Sequence, residues 1–222
     1  KGGHGDNYYM QMASNIRKFK GVSAPLEPSM PKTIAIDGAF DDWEYVSPRY
    51  TAHKGSTLHR NSKGWEGSYY TNATGRNDFV AAKVARDDTY VYFYIETADE
   101  ITDVSGPAWM RLFIDRDRNW QTGWEGYDLM LTGTASGTYL IKENSGNGWE
   151  WTTVGDVDYT FSGNKMEVRV ARARLATGDD QLDFAFKWSD NMQEEGDILD
   201  FYVNGDVAPG GRFNYHFSTL MQ

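Results

Sequence analysis

Residues 78–95, DFVAAKVARDDTYVYFYI, carry the clearest β-type pattern in this chain. Polar and apolar residues alternate through residues 78–84, and three charged residues follow at 86–88. Residues 90–95 then form a second run that is rich in aromatic and β-branched side chains. Two such runs joined by a short polar turn are typical of a β-hairpin. The stretch therefore predicts an antiparallel sheet.

Further short runs with β-type patterning extend on both sides of this hairpin. They cover residues 33–36, 110–114, 127–131, 138–141, 149–154, 157–161, 166–170, 182–188, 199–203 and 213–217. Their spacing of about 8–12 residues predicts an all-β fold, an antiparallel β-sandwich of the jelly-roll type. Residues 45–77 have little periodicity, and we expect them to form a long surface loop.

The first 32 residues have a different character. Apolar residues recur on one predicted helix face: Tyr9, Met12, Ile16 and Phe19. An isolated helix of about 14 residues is marginal in water, so this face must dock on something. Three prolines follow within residues 22–32 and predict an extended linker. The predicted organisation is a helix at 1–21, a linker at 22–32 and a β-sandwich at 33–222.

Composition excludes several kinds of site. The chain of 222 residues has no cysteine, which excludes disulfides and cysteine-based metal centres. Its net charge of -10 argues against binding to nucleic acid, which requires clustered Lys and Arg. Aromatic residues make up 15% of the chain, and this surplus predicts that some of them are exposed.

The segment DRDRNWQTGWEGYD, residues 115–128, concentrates oxygen side chains between two predicted strands. It departs from an EF-hand loop, because Trp120 and Gly126 occupy the positions of the required Gly and Glu. Calcium remains a candidate ligand, with Asp115, Asp117, Asn119 and Asp128 as the metal-binding residues. The alternative is a set of turns in which the same side chains accept hydrogen bonds from nearby backbone N–H groups.

Six tryptophans lie near predicted strand ends or loops: Trp109, Trp120, Trp124, Trp149, Trp151 and Trp188. An indole face packs against the C–H face of a sugar, while Asp, Asn, Arg and Gln bind its hydroxyls. A carbohydrate site is one interpretation, and core packing is the other. The four histidines have no metal-ligand spacing, and the chain has no nucleophile elbow.

Several motifs together resemble the family 9 carbohydrate-binding modules and the related DOMON-like domains. They are IDGAFDDW at 36–43, DTYVYF at 88–93, LFIDRD at 112–117 with TGW at 122–124, FKWSDN at 186–191 and GDVAPGGRF at 205–213. Residues 6–21 are similar to the end of the barrel domain in glycoside hydrolase families 71 and 99 of Bacteroidetes.

This resemblance implies a non-catalytic module that holds a terminal sugar between two tryptophans, with calcium nearby. Trp109 and Trp188 are the implied pair, Arg111 and Asn191 the implied hydrogen-bonding residues, and Trp124 a further contact. It also implies a preceding catalytic domain and a secreted, periplasmic or cell-surface parent protein. The main competing hypothesis is a structural module that packs on a neighbouring glycosidase domain and has no ligand. Two weaker hypotheses are a free-standing hydrolase and a haem site at Met110 and His216.

Overall fold

The computed structural model describes residues 7–21, 26–57, 60–63, 67, 69–106, 108–146, 148–176, 181–211 and 213–220. Most of its regular structure is antiparallel β-sheet, which confirms the predicted fold class. The strands are β1 (Arg49–Thr51), β2 (Arg60–Lys63), β3 (Tyr69–Asn72), β4 (Phe79–Arg86), β5 (Tyr90–Thr97), β6 (Arg111–Asp115), β7 (Leu129–Gly133), β8 (Tyr139–Asn144), β9 (Trp151–Asp156), β10 (Tyr159–Ser162), β11 (Lys165–Ala171), β12 (Asp183–Asp190), β13 (Asp206–Ala208) and β14 (Tyr215–Ser218). The helices are α1 (Asn7–Lys20) and α2 (Asp200–Val203), with 3-10 turns at Phe40–Trp43 and Arg172–Arg174.

Two sheets form the sandwich. The smaller has five strands in the order β1-β4-β5-β11-β10, and the larger has the order β13-β12-β6-β7-β8-β9, with β14 also paired to β12. The strands β2 and β3 form a separate hairpin. The predicted hairpin at 78–95 corresponds to β4 and β5, which pair from Phe79 opposite Thr97 to Arg86 opposite Val91.

The main core lies between the two sheets and follows the two-residue period of the strands. In β6, Leu112 and Ile114 point into this core, while Phe113 belongs to a second apolar cluster on the outer face of the larger sheet. In β12, Phe184 and Phe186 enter the main core. The same alternation therefore decides which residues of these strands can form an outward-facing site.

Three sequence predictions differ from the structure. Residues 33–36 are not in a strand, because Ile34 packs with Trp43 and Tyr92 against the outer face of the smaller sheet. Residues 199–203 include helix α2 rather than a strand, and the Asp200 carboxylate accepts bonds from the backbone of Gln193. The predicted loop at 45–77 contains the short strands β1, β2 and β3.

The predicted N-terminal helix is confirmed as α1. Gly21 follows it with φ +79 and donates its N–H to the carbonyl of Arg17 at 2.8 Å, which is a common helix end. Met12, Ile16 and Phe19 are exposed. Residues 1–6 and 22–25 of the predicted helix and linker lie outside the described residues, and the domain boundaries stay a prediction. None of the helices in the described ranges is long and apolar enough to cross a membrane.

Candidate functional site

The two tryptophans expected to form an exposed sugar-binding pair are instead core residues. Trp109 and Trp188 both have 0% exposure. Trp188 is in phase with Phe184 and Phe186 on β12, so the strand period directs it inward. Trp109 packs edge-on against Phe161 and donates from its indole to the carbonyl of Thr102 at 2.8 Å. Neither ring presents a face to a sugar, which corrects the expectation drawn from the resemblance.

Asn191 has a structural position in the turn after β12. Its φ of 61 lies in the left-handed region, which Asn tolerates better than most residues. Its side-chain amide donates to the carbonyl of Asn204 at 3.0 Å. These contacts fix the turn. The side chain lies at the end of the strand that carries Trp188.

Arg111 and Trp124 lie together on the outer face of the larger sheet. They belong to what we call the outer aromatic cluster, which consists of Phe113, Trp124, Trp149, Trp151 and Phe201 around Arg111. The Trp124 and Trp149 rings meet edge-on with centroids 4.5 Å apart, and Trp149 lies 5.6 Å from Trp151. Trp124 is buried, whereas Trp149 and Trp151 are half-buried and reach the surface.

A single carboxylate is fixed at the edge of the outer aromatic cluster. Arg111 is 1% exposed and donates to Oε1 of Glu195, whose side chain is 50% exposed. The Trp149 indole donates to the other oxygen, Oε2, at 3.3 Å. Burial alone would raise the pKa of Glu195, but the hydrogen bond and charge of Arg111 lower it below its usual value.

The sequence pattern does not single out Glu195, because the segment 192–199 contains several polar residues without a distinguishing spacing. Its role becomes visible only when β6 brings Arg111 beneath it. Gly196 supports this arrangement, because a Cβ at that position would lie 3.0 Å from Cβ of Trp149. The result is an ionised acceptor at the surface, held beside the Trp149 indole, whose ring packs against Trp151. Such a group can accept hydrogen bonds from hydroxyls while the rings pack against apolar C–H groups.

The acidic loop between β6 and β7 brings together three of the four predicted metal ligands. Carboxylate oxygens of Asp115, Asp117 and Asp128 all lie within 4.8 Å of one another. Oδ1 of Asp115 is buried and has no hydrogen-bond partner among the described residues. Burial, and then the charge of Asp128, raise the pKa of Asp115 to about 6. Burial likewise raises the pKa of Asp128.

The rest of this loop follows the predicted turn chemistry. Oδ1 of Asp117 accepts the backbone N–H of Asn119 at 2.9 Å, and Oδ1 of Asn119 accepts that of Gln121 at 3.1 Å. Gly123 has φ +66, and a Cβ there would lie 2.1 Å from the carbonyl oxygen of Tyr127. Asn119 is therefore engaged within the loop, while the three carboxylates converge.

The three carboxylates fit a hard divalent cation. A buried acidic oxygen without a donor is costly, and three neighbouring carboxylates repel one another. A cation that prefers oxygen ligands would relieve both effects. Asp115, Asp117 and Asp128 are the residues that would hold it.

Comparison with known proteins gives two similar solved structures. Both are a carbohydrate-binding module of family 9 from Caldicellulosiruptor kristjanssonii, one in complex with glucose and the other with cellotriose. The glucose complex is 17% identical, with a TM-score of 0.44, and the match covers 80% of this chain and 81% of that one. The cellotriose complex is 16% identical, with a TM-score of 0.42 and coverage of 80% and 78%. No family model and no curated protein matches the chain.

Proposed function

We propose that this chain is a non-catalytic module that binds a saccharide at the outer aromatic cluster. The observation that carries the proposal is the fixed carboxylate of Glu195, which accepts a hydrogen bond from the Trp149 indole, with Trp151 packed against Trp149. Arg111 and the Trp149 indole hold this carboxylate from two sides, so little side-chain entropy is lost when a hydroxyl binds to it. Trp149 and Trp151 supply the apolar surface that a sugar ring requires.

The proposed context is a larger polysaccharide-processing protein. In that arrangement the module follows a catalytic domain and keeps it near its polymer, in a secreted, periplasmic or cell-surface protein. This part of the proposal rests on the sequence resemblance. Binding at a single exposed surface suits such a role, because a module needs only to hold a chain end or a short stretch of polymer.

The experiment is a titration of the chain with neutral mono- and oligosaccharides, measured by heat release. The informative variant is Glu195→Gln, which keeps the shape of the side chain but removes its charge. The matched control is Glu150→Gln, because Glu150 is exposed and stands between the two tryptophans in sequence. We expect the Glu195 variant to bind roughly tenfold more weakly, and the control to bind like the wild type.

Two results would contradict this proposal. One is the absence of binding to any saccharide in a broad panel. The other is equal affinity of the wild type, the Glu195 variant and the Glu150 control. A thermal melt of each variant separates loss of a ligand contact from loss of the fold.

We also propose that calcium binds at Asp115, Asp117 and Asp128. The support is the convergence of the three carboxylates and the buried oxygen of Asp115 that lacks a partner among the described residues. The loop joins two central strands of the larger sheet, so a bound cation would stabilise the fold by mass action. The proposed role of the metal is structural.

One observation favours a second candidate function, that of a structural module that packs on a neighbouring domain. Met12, Ile16 and Phe19 on α1 are 48 to 93% exposed, and a short helix with such a face requires a partner to be stable. Arg17 on the same helix lies 5.8 Å from the ring centroid of Phe213. A purely structural module binds no saccharide, and a saccharide panel then gives no heat of binding.

A further inference from the structure

A cavity lies on the outer face of the smaller sheet, on the opposite side of the sandwich from the outer aromatic cluster. Its volume is about 360 Å³, within the range of about 300–1,000 Å³ that is usual for small-molecule sites. The turn Phe40–Trp43 forms one wall, and strands β1, β4, β5 and β11 form the floor. We call it the sheet pocket, and its main lining residues are Phe40, Arg49, Lys83, Tyr94, Glu96 and Lys165.

Three cations converge in the sheet pocket. Arg49 of β1 lies directly opposite Lys83 of β4, and Lys165 of β11 lies opposite Glu96 of β5. Arg49 forms an ion pair with Glu96, with Nη2 of Arg49 3.3 Å from Oε2 of Glu96. Within the described part of the chain, Lys83 and Lys165 form no ion pair. The Lys83 ammonium donates to the carbonyl of Trp43 at 2.5 Å, which leaves two of its N–H donors for other acceptors.

Three cations and three carboxylates line the sheet pocket, and among them the surroundings of Lys83 favour an added negative charge. Burial, and then the charge of Arg49, lower the pKa of Lys83, and Lys165 acts in the same direction. Glu96 raises the pKa of Lys83. Its carboxylate is also paired with Arg49 and accepts a hydrogen bond from the Tyr94 hydroxyl at 3.4 Å. The positive charges of Lys83 and Lys165 would therefore both attract a carboxylate placed near Lys83.

Other groups in the sheet pocket limit the nature of that anion. The half-buried ring of Phe40 lies edge-on to Tyr94, with centroids 6.0 Å apart, and contributes apolar surface beside the Lys165 ammonium, which lies 5.7 Å from the Phe40 centroid. Asp41 and Glu44 line the rim and are exposed. Together with Glu96 they would repel a doubly charged phosphate but accept hydrogen bonds from hydroxyl groups. The combination suits a ring with several hydroxyls and a single negative charge.

We infer that the sheet pocket binds a sugar ring that carries one carboxylate, a hexuronate. The carboxylate lies against Lys83 and Lys165, the ring packs on Phe40, and the hydroxyls donate to Glu96 and the rim carboxylates. This site is separate from the outer aromatic cluster. It does not depend on the binding of a neutral saccharide there.

The test is a titration of the whole chain with D-glucuronate and D-galacturonate, with glucose and inorganic phosphate as comparison ligands. The variants are Lys83→Met and Lys165→Met, which keep most of the side-chain volume and each remove one charge. Lys54→Met is the matched control, because Lys54 is exposed and lies outside the sheet pocket. Glu195→Gln is included to separate the two proposed sites. Melting curves verify that each variant is folded.

In the Glu195→Gln variant, we expect at least one uronate to bind roughly tenfold more tightly than glucose and phosphate, with affinity that falls as salt is added. Lys83→Met or Lys165→Met should weaken this binding roughly tenfold, whereas Lys54→Met and Glu195→Gln leave it unchanged. The inference is overturned if no uronate binds, if glucose or phosphate binds the Glu195→Gln variant as tightly as a uronate does, or if the control weakens binding as much as both pocket variants.

Discussion

Arg111 is buried beneath a carboxylate that remains half exposed, that of Glu195. The guanidinium also lies 5.4 Å from the centroid of Trp149, so one buried cation fixes both an acceptor and an indole. Removing the Arg111 side chain would leave Glu195 without its main donor and Trp149 without a packing partner. We regard this three-residue arrangement as the centre of the proposed saccharide site.

Replacement of the two core tryptophans should affect stability rather than ligand binding. We expect Trp188→Ala to lower the free energy of unfolding by about 3–5 kcal/mol, because it removes a fully buried ring. Trp120→Ala is the control, since Trp120 is 78% exposed, and it should change stability by about 0.5 kcal/mol or less. Denaturant unfolding measures both. Equal effects of the two variants would be inconsistent with the burial of Trp188.

The buried ion pair between Arg76 and Asp190 should contribute more to the free energy of unfolding than a surface pair does. Nε of Arg76 is 2.8 Å from Asp190, whose side chain is fully buried and also accepts the N–H of Met110 at 2.9 Å. Arg76→Met leaves a buried charge without its counterion and should cost about 3 kcal/mol. Arg118→Met, which removes a pair with Asp183 at the surface, should cost about 1 kcal/mol or less. If Arg76→Met and Arg118→Met lower the free energy of unfolding by similar amounts in denaturant, this ranking is refuted.

The proposed calcium site predicts a cation-dependent melting temperature. Chelator should lower the Tm and added calcium should restore it, with about 2.7 kcal/mol of stabilisation at a hundredfold excess over Kd. Asp115→Asn should abolish the response. Asp88→Asn, a change at an exposed turn residue, should preserve it. Identical melting curves with chelator and with calcium would contradict the proposed calcium site.

The buried carboxyl of Asp206 predicts a specific pH dependence. It accepts hydrogen bonds from Ser56 and from the backbone of Phe79, yet burial outweighs them and raises its pKa to about 6. The folded state therefore binds more protons than the unfolded state between about pH 4 and pH 6. The free energy of unfolding should fall as pH rises through this window, by at most about 1.4 kcal/mol per unit.

Comparison of the wild type with Asp206→Asn isolates this group. The variant cannot ionise at position 206, so its stability should fall less steeply between pH 4 and pH 6 than that of the wild type. Asp88→Asn should retain the wild-type slope. Parallel pH profiles for the wild type and Asp206→Asn would show that Asp206 does not titrate in this window.

Local patterns were enough to predict the fold class, because most strands carry their own alternation. The β4–β5 hairpin is the clearest case. The strand predicted at 199–203 was wrong, because these residues include helix α2, whose Phe201 packs in the outer aromatic cluster. The short strands β1, β2 and β3 have three or four residues each, too few to show a period.

The candidate sites differ in how much of each could be predicted from the sequence. The acidic loop is contiguous, so Asp115, Asp117 and Asp128 could be grouped by spacing. The burial of Trp188 could also be predicted, because the two-residue period of β12 places it on the same face as Phe184 and Phe186. The role of Glu195 could not be predicted from sequence, because its partners Arg111 and Trp149 are more than 40 residues away and contact it only in the folded chain.

The most direct test of the saccharide site is to follow the indole N–H signals of the tryptophans by NMR during titration with a saccharide. We predict that the signals of Trp149 and Trp151 shift with saturation, because the Trp149 indole bonds Glu195 and its ring packs against Trp151, and both side chains are half-buried. The signals of the core residues Trp109 and Trp188 should stay in place. Shifts confined to Trp109 and Trp188, or no shift of any indole across a broad panel of saccharides, would contradict a saccharide site at the outer aromatic cluster.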